Sequence, residues 1–346
     1  MLLEENKPLG PCTTFGIGGP ARWFVRAQSE DEIVEASEWA RNRGIPIFVL
    51  GGGSNVLIAD GGFSGLVLHI ALRGIEEQDI GDSGVLFRVE AGEDWDAFVQ
   101  RAVDENCAGI ECLAGIPGTV GGTPVQNVGA YGQEVAQIIG RVRAFDTRER
   151  RMDEFSAAEC GFSYRKSRFN SADRGRFIVT RVCYQLRRGG APALRYADLQ
   201  REFGPDSHPS LPEVAAAVRR IRMGKGMLLV PGDPDCRSAG SFFKNPIVDE
   251  ARADRIGFLA GKEPPRFPAA MEGRVKLPAA WLIEQAGFSK GYIEGNTGIS
   301  TRHTLALINR GDASADEILE LAAKIKSSVE KRFGVALQPE PVFVGF

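Results

Sequence analysis

Two glycine-rich segments contain residue types that could bind a ligand through the backbone. The first, Gly51-Gly52-Gly53-Ser54-Asn55, directly follows the apolar run of residues 45–50. A glycine run after a buried strand exposes backbone N–H groups and leaves room for phosphate oxygens, and Ser54 and Asn55 add side-chain donors. A tight structural turn explains the same residues equally well, so this segment alone leaves both interpretations open.

The second glycine-rich segment spans residues 115–132, and its composition predicts an irregular loop. It holds six glycines and two prolines in eighteen residues, which is unfavourable for a helix or a regular strand. Such a segment suits a planar ring that needs close backbone approach on one side. A structureless loop of this length is uncommon in a compact domain unless it has a function, and this favours a binding role.

Two further matches to nucleotide-binding motifs are misleading. Residues 16–21 fit G-x-G-x-x-A, but that motif must follow a strand and open a helix, whereas Pro20 here precedes a strand-like segment. The Gly224-Lys225 pair resembles the end of a phosphate-binding loop, but Arg219 stands where such a loop needs its first glycine. Neither motif is therefore assigned.

Alternating strands and helices must position the two glycine-rich segments, and they indicate an α/β or α+β architecture. Helices are predicted to begin after Ser29, Asp94 and Ser314, each of which can cap a helix N-terminus. Further helices are predicted over residues 213–222 and 279–286, and a loop over residues 187–192. The predicted strands cover residues 22–28, 45–50, 65–70, 85–91, 142–146, 151–155, 176–186 and 305–309.

The composition is typical of a globular protein, and it argues against several classes of protein and of binding site. The net charge of −3 gives no positive field for nucleic acid, and the three histidines, at 69, 208 and 303, are too scattered for a histidine-built metal site. The six cysteines form no C-x-x-C pair, as expected of free thiols in a reducing cytosol. No apolar run reaches the roughly 20 residues that a membrane-spanning helix needs, and residues 1–10 do not form a signal peptide.

The two glycine-rich segments, taken with other motifs, resemble the UDP-N-acetylenolpyruvoylglucosamine reductase (MurB) family. The resemblance covers nearly the whole chain, because several family motifs occur in the expected order. They are Thr14-Phe15-Gly16-Ile17, GGGSNVL from Gly51, the segment 115–132, Tyr164-Arg165-Lys166-Ser167, SAGSFFKNP from Ser238, Ala280-Trp281-Leu282-Ile283-Glu284-Gln285, and Leu337-Gln338-Pro339-Glu340. Two features resemble the longer, type I form of the family: Tyr196, within Arg195-Tyr196-Ala197-Asp198-Leu199, and Lys225. The stretch from Lys225 to Ser241 is, however, a few residues longer here than in that form. The sequence Pro341-Val342-Phe343 also lacks the basic residue that the family often has after the glutamate.

The resemblance implies a reductase that saturates the enolpyruvyl double bond of UDP-N-acetylglucosamine enolpyruvate for cell-wall synthesis, with bound FAD and NADPH as co-substrate. The FAD is expected to be non-covalent, because no histidine lies in residues 51–56 or 115–132. The expected protein is a cytoplasmic monomer that inserts into no membrane and binds neither nucleic acid nor metal. Two alternatives remain from the residues: a flavin oxidase of the same fold, and a non-catalytic nucleotide-sugar binder.

The resemblance also implies roles for individual residues. Ser241 is the expected proton donor, Arg165 the ligand of the substrate carboxylate, and Glu340 the acidic partner near that carboxylate. Substrate-binding residues are expected at Tyr131, Tyr164, Tyr196, Lys225 and Asn245. The expected cofactor-binding residues are Gly51, Gly52, Gly53, Ser54, Asn55, Gly115, Ile116, Pro117, Gly118, Gly121, Gly122, Thr123, Asn127, Gly129 and Ala130.

The implied fold is α+β: a two-lobed FAD-binding module of the vanillyl-alcohol-oxidase/PCMH type with a smaller α+β substrate-binding domain. The expected boundaries are 1–75 and 76–222 for the two FAD-binding subdomains and 223–333 for the substrate-binding domain. A C-terminal strand at about 334–346 is expected to return to the first subdomain.

Overall fold

The computed structural model describes residues 1–269 and 271–346. Its strands are β1 Leu3–Pro8, β2 Pro20–Ala27, β3 Ile47–Leu50, β4 Val56–Ile58, β5 Phe63–Ile70, β6 Ile75–Asp79, β7 Gly84–Glu90, β8 Cys107–Ala108, β9 Gly129–Ala130, β10 Gln133–Glu134, β11 Ile139–Asp146, β12 Arg151–Ser156, β13 Phe177–Arg188, β14 Ile247–Asp249, β15 Phe267–Pro268, β16 Arg274–Lys276, β17 Ile293–Glu294, β18 Thr297–Ile299, β19 Leu307–Asn309 and β20 Val342–Val344. Its helices are α1 Glu30–Arg41, α2 Trp95–Asp104, α3 Gly122–Gln126, α4 Ala197–Phe203, α5 Leu211–Gly224, α6 Glu250–Ala260, α7 Ala279–Gln285 and α8 Ala315–Phe333.

The chain divides into two compact units, each built from separate stretches of sequence. The first unit comprises Met1–Lys7, Ala21–Gly53 and Phe63–Met223. The second comprises Pro8–Pro20, Ser54–Gly62 and Gly224–Phe346. The finer division into three domains remains a prediction.

The first unit contains two main sheets and one hydrophobic core. In one sheet the strand order is β1-β2-β5-β3, and β5 runs parallel to both β2 and β3. The other is antiparallel, with order β12-β11-β13-β7-β6 and β8 paired to β13. Helix α2 buries Trp95, Phe98 and Val99 in the core, as the spacing of its apolar residues predicts.

The second unit contains small sheets and three helices, α6, α7 and α8, that share a core. Its three-stranded sheets have the orders β14-β16-β15 and β17-β18-β19, and β20 pairs in parallel with β4. Helix α8 buries Ile318, Leu321 and Ile325 on one face, against a core to which α7 also contributes.

The predicted helix starts are confirmed by their caps. The Ser29 side chain accepts from Glu32 N and the Asp94 side chain from Ala97 N. Ser314 and Glu317 form a reciprocal capping box at the start of α8. The prediction of a strand rather than a helix after Gly19 is also confirmed, although the strand begins at Pro20 and not at residue 22, and this removes the dinucleotide-motif interpretation.

Two expectations about local structure are wrong, and several elements were not predicted. The segment 115–132 is not entirely irregular, because it contains α3 and β9. Strand β13 continues to Arg188, into the predicted loop, because its end pairs with β8. The strand β1 and the helices α4 and α6 were not predicted from the sequence. Within the described residues, no helix is long and apolar enough to cross a membrane.

Candidate active site

In the first unit, the glycine segment at 51–53 directly contacts the second glycine-rich segment. A Cβ on Gly52 would stand 2.6 Å from Gly118 Cα, and one on Gly51 would stand 2.7 Å from Thr119 Oγ1. Gly53, Gly115 and Gly118 have positive φ angles. Gly52 is therefore required by the close approach of two backbones, Gly51 faces the Thr119 side chain, and the two segments that the sequence singled out lie together.

Asn127 fixes the middle of the second glycine-rich segment. It is almost fully buried and adopts a left-handed conformation at the end of α3. Its Nδ2 donates to Ser163 O at 3.0 Å and to Glu134 Oε2 at 3.0 Å, and its Oδ1 accepts from Ala136 N at 3.2 Å. The side chain thus ties this segment to the residues just before Tyr164 and Arg165.

Arg165 reaches back to the same segment. Its Nη2 donates to Gly129 O at 2.9 Å and its Nη1 lies 3.5 Å from Asn127 O. Its guanidinium also lies 5.6 Å from the centre of the Tyr164 ring, and its φ is +55°. The structure therefore brings Tyr164 and Arg165 together with Asn127 and Gly129, a second pair of expected site residues that lies far away in sequence.

Tyr131 and Tyr196 also lie together in the first unit. Their rings meet edge to face, with centres 5.2 Å apart. Tyr131 is buried, whereas Tyr196 is 39% exposed. A ligand can therefore contact the Tyr196 side chain.

Other expected cofactor-binding residues serve the fold as well. The Thr123 hydroxyl is buried and lies 2.8 Å from Val120 O and 2.6 Å from the Tyr184 hydroxyl. A Cβ on Gly121 would stand 2.7 Å from the Ala91 Cβ. Through these two residues the start of α3 is fixed against the core of the first unit.

In the second unit, the segments that carry Ser241 and Glu340 lie side by side. Glu340 N donates to Phe242 O at 2.8 Å, Lys244 N donates to Gln338 O at 2.9 Å, and Phe243 pairs with Pro339. The Phe242 and Phe243 side chains are buried and anchor this pairing in the core.

Ser241 itself is half-buried beside these anchors, and it follows Gly240, whose φ is +70°. The left-handed glycine turns the chain directly before the serine. Ser241 is therefore held at a fixed position on a rigid segment.

Ser54 and Asn55, at the end of the first glycine segment, belong to this unit too. Asn55 Nδ2 donates to Glu340 O at 3.3 Å, and Val342 N donates to Asn55 O at 2.9 Å. The β4–β20 pairing thus begins at Asn55 and fixes the chain next to Glu340.

The loop between Lys225 and Ser241 is anchored by Asp235, which was not singled out from the sequence. Asp235 Oδ2 accepts from Ser300 Oγ at 3.0 Å, Thr301 Oγ1 at 2.7 Å and Arg302 Nε at 3.0 Å. Burial acts to raise the Asp235 pKa, but these hydrogen bonds outweigh it and the pKa is lowered. Aspartates in a Pro- and Gly-rich loop are typical of ordinary turns, so no local pattern signalled this role.

Lys225 lies at the start of that loop, directly after α5. A Cβ on its neighbour Gly226 would stand 3.2 Å from Ser300 Oγ. The loop therefore begins close to Ser300, one of the residues that donate to Asp235. Lys225 also acts on His303, whose pKa is lowered to about 4 by burial first and by the charges of Lys225 and Lys290 second. Asn245, the remaining expected substrate ligand, accepts from Ala279 N at 2.9 Å through Oδ1 and so supports the start of α7.

The second unit also contains a cavity of about 450 Å³, bounded by the same loop. None of the expected catalytic or substrate-binding residues lines it, so it carries no argument about the reaction. Its walls are formed by Thr14, Leu229, Val230, Pro231, Gly232, Asp233, Pro234, Cys236, Arg237, Asn309 and Arg310.

Comparison with known proteins assigns this arrangement to a family. Residues 233–344 match the model of the UDP-N-acetylenolpyruvoylglucosamine reductase C-terminal domain, and residues 21–149 match an FAD binding domain. The UDP-N-acetylenolpyruvoylglucosamine reductase of Thermobifida fusca is 47% identical, over 99% of this chain and 98% of its own length. The chain belongs to the UDP-N-acetylenolpyruvoylglucosamine reductase family.

Two further relatives agree with this assignment. The reductase of Streptomyces coelicolor is 48% identical over 99% of this chain and 90% of its own. The crystal structure of the reductase from Thermus caldophilus has a TM-score of 0.68 at 27% identity, covering 99% of this chain and all of that one. The predicted fold class is confirmed, and family membership decides against the oxidase and the non-catalytic binder.

As a member of this reductase family, the protein uses FAD and NADPH, and the glycine segments fit the cofactor. Gly52 leaves no room for a side chain against Gly118, so backbone atoms form that surface. At Gly122, by contrast, no heavy atom of the described residues other than those of its chain neighbours and its own helix lies within 4 Å of the position that a Cβ would take. Backbone that no side chain covers suits the close approach of a diphosphate and a planar ring.

Proposed function

We propose that Ser241, Arg165 and Glu340 carry the substrate chemistry of this reductase, with Ser241 as the proton donor. FAD held by the two glycine-rich segments would supply a hydride, derived from NADPH, for the methylene carbon of the enolpyruvyl group. Negative charge then develops on the carbon next to the substrate carboxylate. The protein must stabilise that charge and supply one proton to the same carbon to complete the reduction.

The position of Ser241 is the observation that carries the proposal. A hydroxyl is a weak acid, so it can protonate only a strongly basic carbanion, and only if it is well positioned. The left-handed Gly240 before it and the buried Phe242 after it hold the serine in place, while it stays half-exposed. These are the features that a positioned acid needs.

Glu340 and Arg165 have complementary tasks. The backbone of Glu340 is bonded to Phe242, next to Ser241, so its carboxyl can orient the serine or polarise the developing charge. The Arg165 guanidinium is planar and suits bidentate binding of the substrate carboxylate. Its contacts with Asn127 O and Gly129 O fix the guanidinium beside the glycine-rich segment in the first unit.

The remaining residues bind the UDP-sugar part of the substrate. Tyr131, Tyr164 and Tyr196 offer hydroxyl groups and aromatic faces, and Lys225 offers a charge for the diphosphate. Asn245 is assigned to the same ligand, in addition to its contact with Ala279 N. The cofactor is held by the two glycine-rich segments, with Ser54, Asn55 and Thr123 among the contributing residues.

We further propose that the protein works in the cytoplasm as a monomer of 37.5 kDa and supplies cell-wall precursor for growth and division. Nucleotide sugars and NADPH are water-soluble, and the net charge of −3 gives no basis for nucleic-acid binding. Light scattering after size-exclusion chromatography tests the monomer, and a doubled mass would contradict it.

Ser241→Ala tests the assignment of the proton donor. We expect flavin bleaching by NADPH to survive, because that half-reaction involves no protonation of the substrate. Reoxidation by the enolpyruvyl substrate should slow by about 10²–10⁴-fold, the usual cost of losing a general acid. Stopped-flow absorbance measures both half-reactions on the same preparation.

Two variants complete the test. Ser241→Cys should retain more activity than the alanine variant, because a thiol offers a proton at nearly the same place. Ser289→Ala changes an exposed serine of the same unit and should affect neither half-reaction. Near wild-type reoxidation in Ser241→Ala would remove the serine as the acid and make Glu340 the next candidate.

A further inference from the structure

Glu111 is a fully buried carboxylate to which the proposed chemistry assigns no role. Its Oε2 accepts from Gly109 N at 2.8 Å and Ile110 N at 3.0 Å. Its Oε1 accepts from Gln133 Nε2 at 2.8 Å and Ala193 N at 2.8 Å. Among the described residues, no lysine or arginine forms an ion pair with it.

Burying such a charge is costly unless its hydrogen bonds are complete. Two of the four donors come from the residues just before Glu111 and serve its own turn. The other two come from distant segments. Gln133 follows Tyr131 by two residues, and Ala193 precedes Tyr196 by three. The carboxylate therefore joins the two segments that carry the paired tyrosines.

Cys112, the residue after Glu111, also bonds to both Ala193 and Gln133. Cys112 Sγ donates to Ala193 O at 3.2 Å, and Cys112 N donates to Gln133 Oε1 at 2.8 Å. Burial raises the pKa of the Cys112 thiol, which therefore keeps the proton that it donates. Both backbone polar groups of Ala193 are thus held by adjacent buried residues.

The segments that contain Gln133 and Ala193 also contact each other away from Glu111. Gly132 has a φ of +85°, and a Cβ on it would stand 3.4 Å from the Arg195 Cβ. Beyond it, the Tyr131 and Tyr196 rings meet edge to face. A shift of Ala193 would therefore move Tyr196 against Tyr131.

We propose that Glu111 is a positioning residue for the substrate: by holding Ala193 and Gln133, it sets Tyr196 where its hydroxyl can meet the UDP-sugar. The inference rests on the proposed role of Tyr196. It assigns to Glu111 no contact with substrate or cofactor and no part in moving the proton.

Glu111→Gln tests the tether with nearly no change in volume. The new amide turns an N–H toward donors that pointed at a carboxylate oxygen, so at least one pair of donors loses its acceptor. We expect the KM for the enolpyruvyl substrate to rise about tenfold or more, as for the loss of a hydrogen bond to a charged group. Flavin reduction by NADPH and kcat should change little.

Amide hydrogen exchange reports directly on the hydrogen bond from Ala193 N to Glu111. Hydrogen–deuterium exchange of the peptide spanning residues 190–196, followed by mass spectrometry, should quicken in Glu111→Ala, because this change removes both carboxylate oxygens and the Ala193 amide loses its acceptor. Asp146→Asn is the matched control, since Asp146 is an equally buried carboxylate of the same unit, paired with Arg176. That variant should lower thermal stability but leave both this exchange and KM unchanged. An unchanged exchange rate of this peptide in Glu111→Ala, or a KM increase in Asp146→Asn equal to that in Glu111→Gln, would overturn the inference.

A double-mutant cycle with Tyr196→Phe decides whether Glu111 acts through the tyrosine. If it does, Glu111→Gln should raise KM much less in the Tyr196→Phe background than in the wild type. Independent, multiplicative effects would contradict the route through Tyr196. A Tyr196→Phe variant with wild-type KM would instead contradict the proposed role of Tyr196. Should Glu111→Gln fail to fold, Cys112→Ala removes only the contact to Ala193 O and should move KM and exchange in the same direction, by less.

Discussion

At the scale of single residues, His303 is a titratable group whose surroundings fix its protonation state. Its Nδ1 accepts from Leu305 N at 3.1 Å. The pKa is about 4, first because the imidazole is buried and then because Lys225 and Lys290 are cationic. His303 is therefore neutral at pH 7 and carries its proton on Nε2.

This lowered pKa predicts how stability depends on pH. Between pH 6.5 and pH 4 the unfolded chain binds a proton at His303 and the folded chain does not, so acid favours unfolding. The stability attributable to His303 is thus complete above about pH 6.5 and is lost as the pH falls. Between pH 7.5 and pH 5 the loss amounts to about 2 kcal/mol.

The comparison of His303→Gln with wild type isolates this effect. The difference in unfolding free energy between the two proteins, measured by urea titration, should shift in favour of the variant as the pH falls from 7.5 to 5. His208→Gln removes an exposed histidine and serves as the control. A pH-independent difference for His303→Gln would show that the imidazole titrates normally.

At the scale of elements, the contact between the two glycine-rich segments depends on the absence of a side chain at Gly52. A Cβ there would meet the Gly118 Cα at 2.6 Å and its carbonyl carbon at 2.9 Å, which forces backbone to move. By contrast, a Cβ at Gly122 would meet no heavy atom of the described residues within 4 Å apart from its chain neighbours and its own helix. Gly52 is thus needed for the packing of the two segments, whereas we expect Gly122 to matter only for the binding of the cofactor.

We expect Gly52→Ala to lower both the melting temperature of the apoprotein and its flavin content after purification. Gly122→Ala should leave the apoprotein melting temperature near wild type, yet weaken FAD binding, because its methyl group enters space that the fold leaves open in the second glycine-rich segment. Flavin content is measured from the absorbance released by acid or heat, which also tests the expected non-covalent attachment. A Gly52→Ala protein with full flavin content would contradict the tight approach of the segments.

At the scale of the whole molecule, the second unit cannot be cut out as one continuous piece of chain. Its core includes Phe15, Ile17 and Leu57, which lie far from residues 224–346 in sequence. Strand β20 pairs with β4, and Asp60 accepts hydrogen bonds from Ala315 N and Asp316 N at the start of α8. Three stretches of sequence are thus needed to complete one core.

A fragment of residues 224–346 should therefore fail to fold on its own. It would expose the core positions that Phe15, Ile17 and Leu57 cover, and β20 would lose its partner strand. We expect near-ultraviolet circular dichroism without tertiary signal, and no cooperative thermal transition. A fragment that melts cooperatively would show that residues 8–20 and 54–62 contribute little to the core.

The sequence by itself determined the features that depend on neighbouring residues. Ser29, Asp94 and Ser314 begin helices because each cap bonds to an amide within three residues. The order of the glycine-rich and serine-bearing motifs was enough to indicate the family.

Only the tertiary structure decided which distant residues meet. The pairing of Glu340 with Phe242, the anchoring of the loop by Asp235 and the hold of Glu111 on Ala193 leave no local pattern, because each bond joins segments far apart in the chain. The helix α3 escaped prediction for the same reason, since Thr123 bonds to Tyr184 on β13 and packing outweighs the poor helix propensity of its glycine and proline.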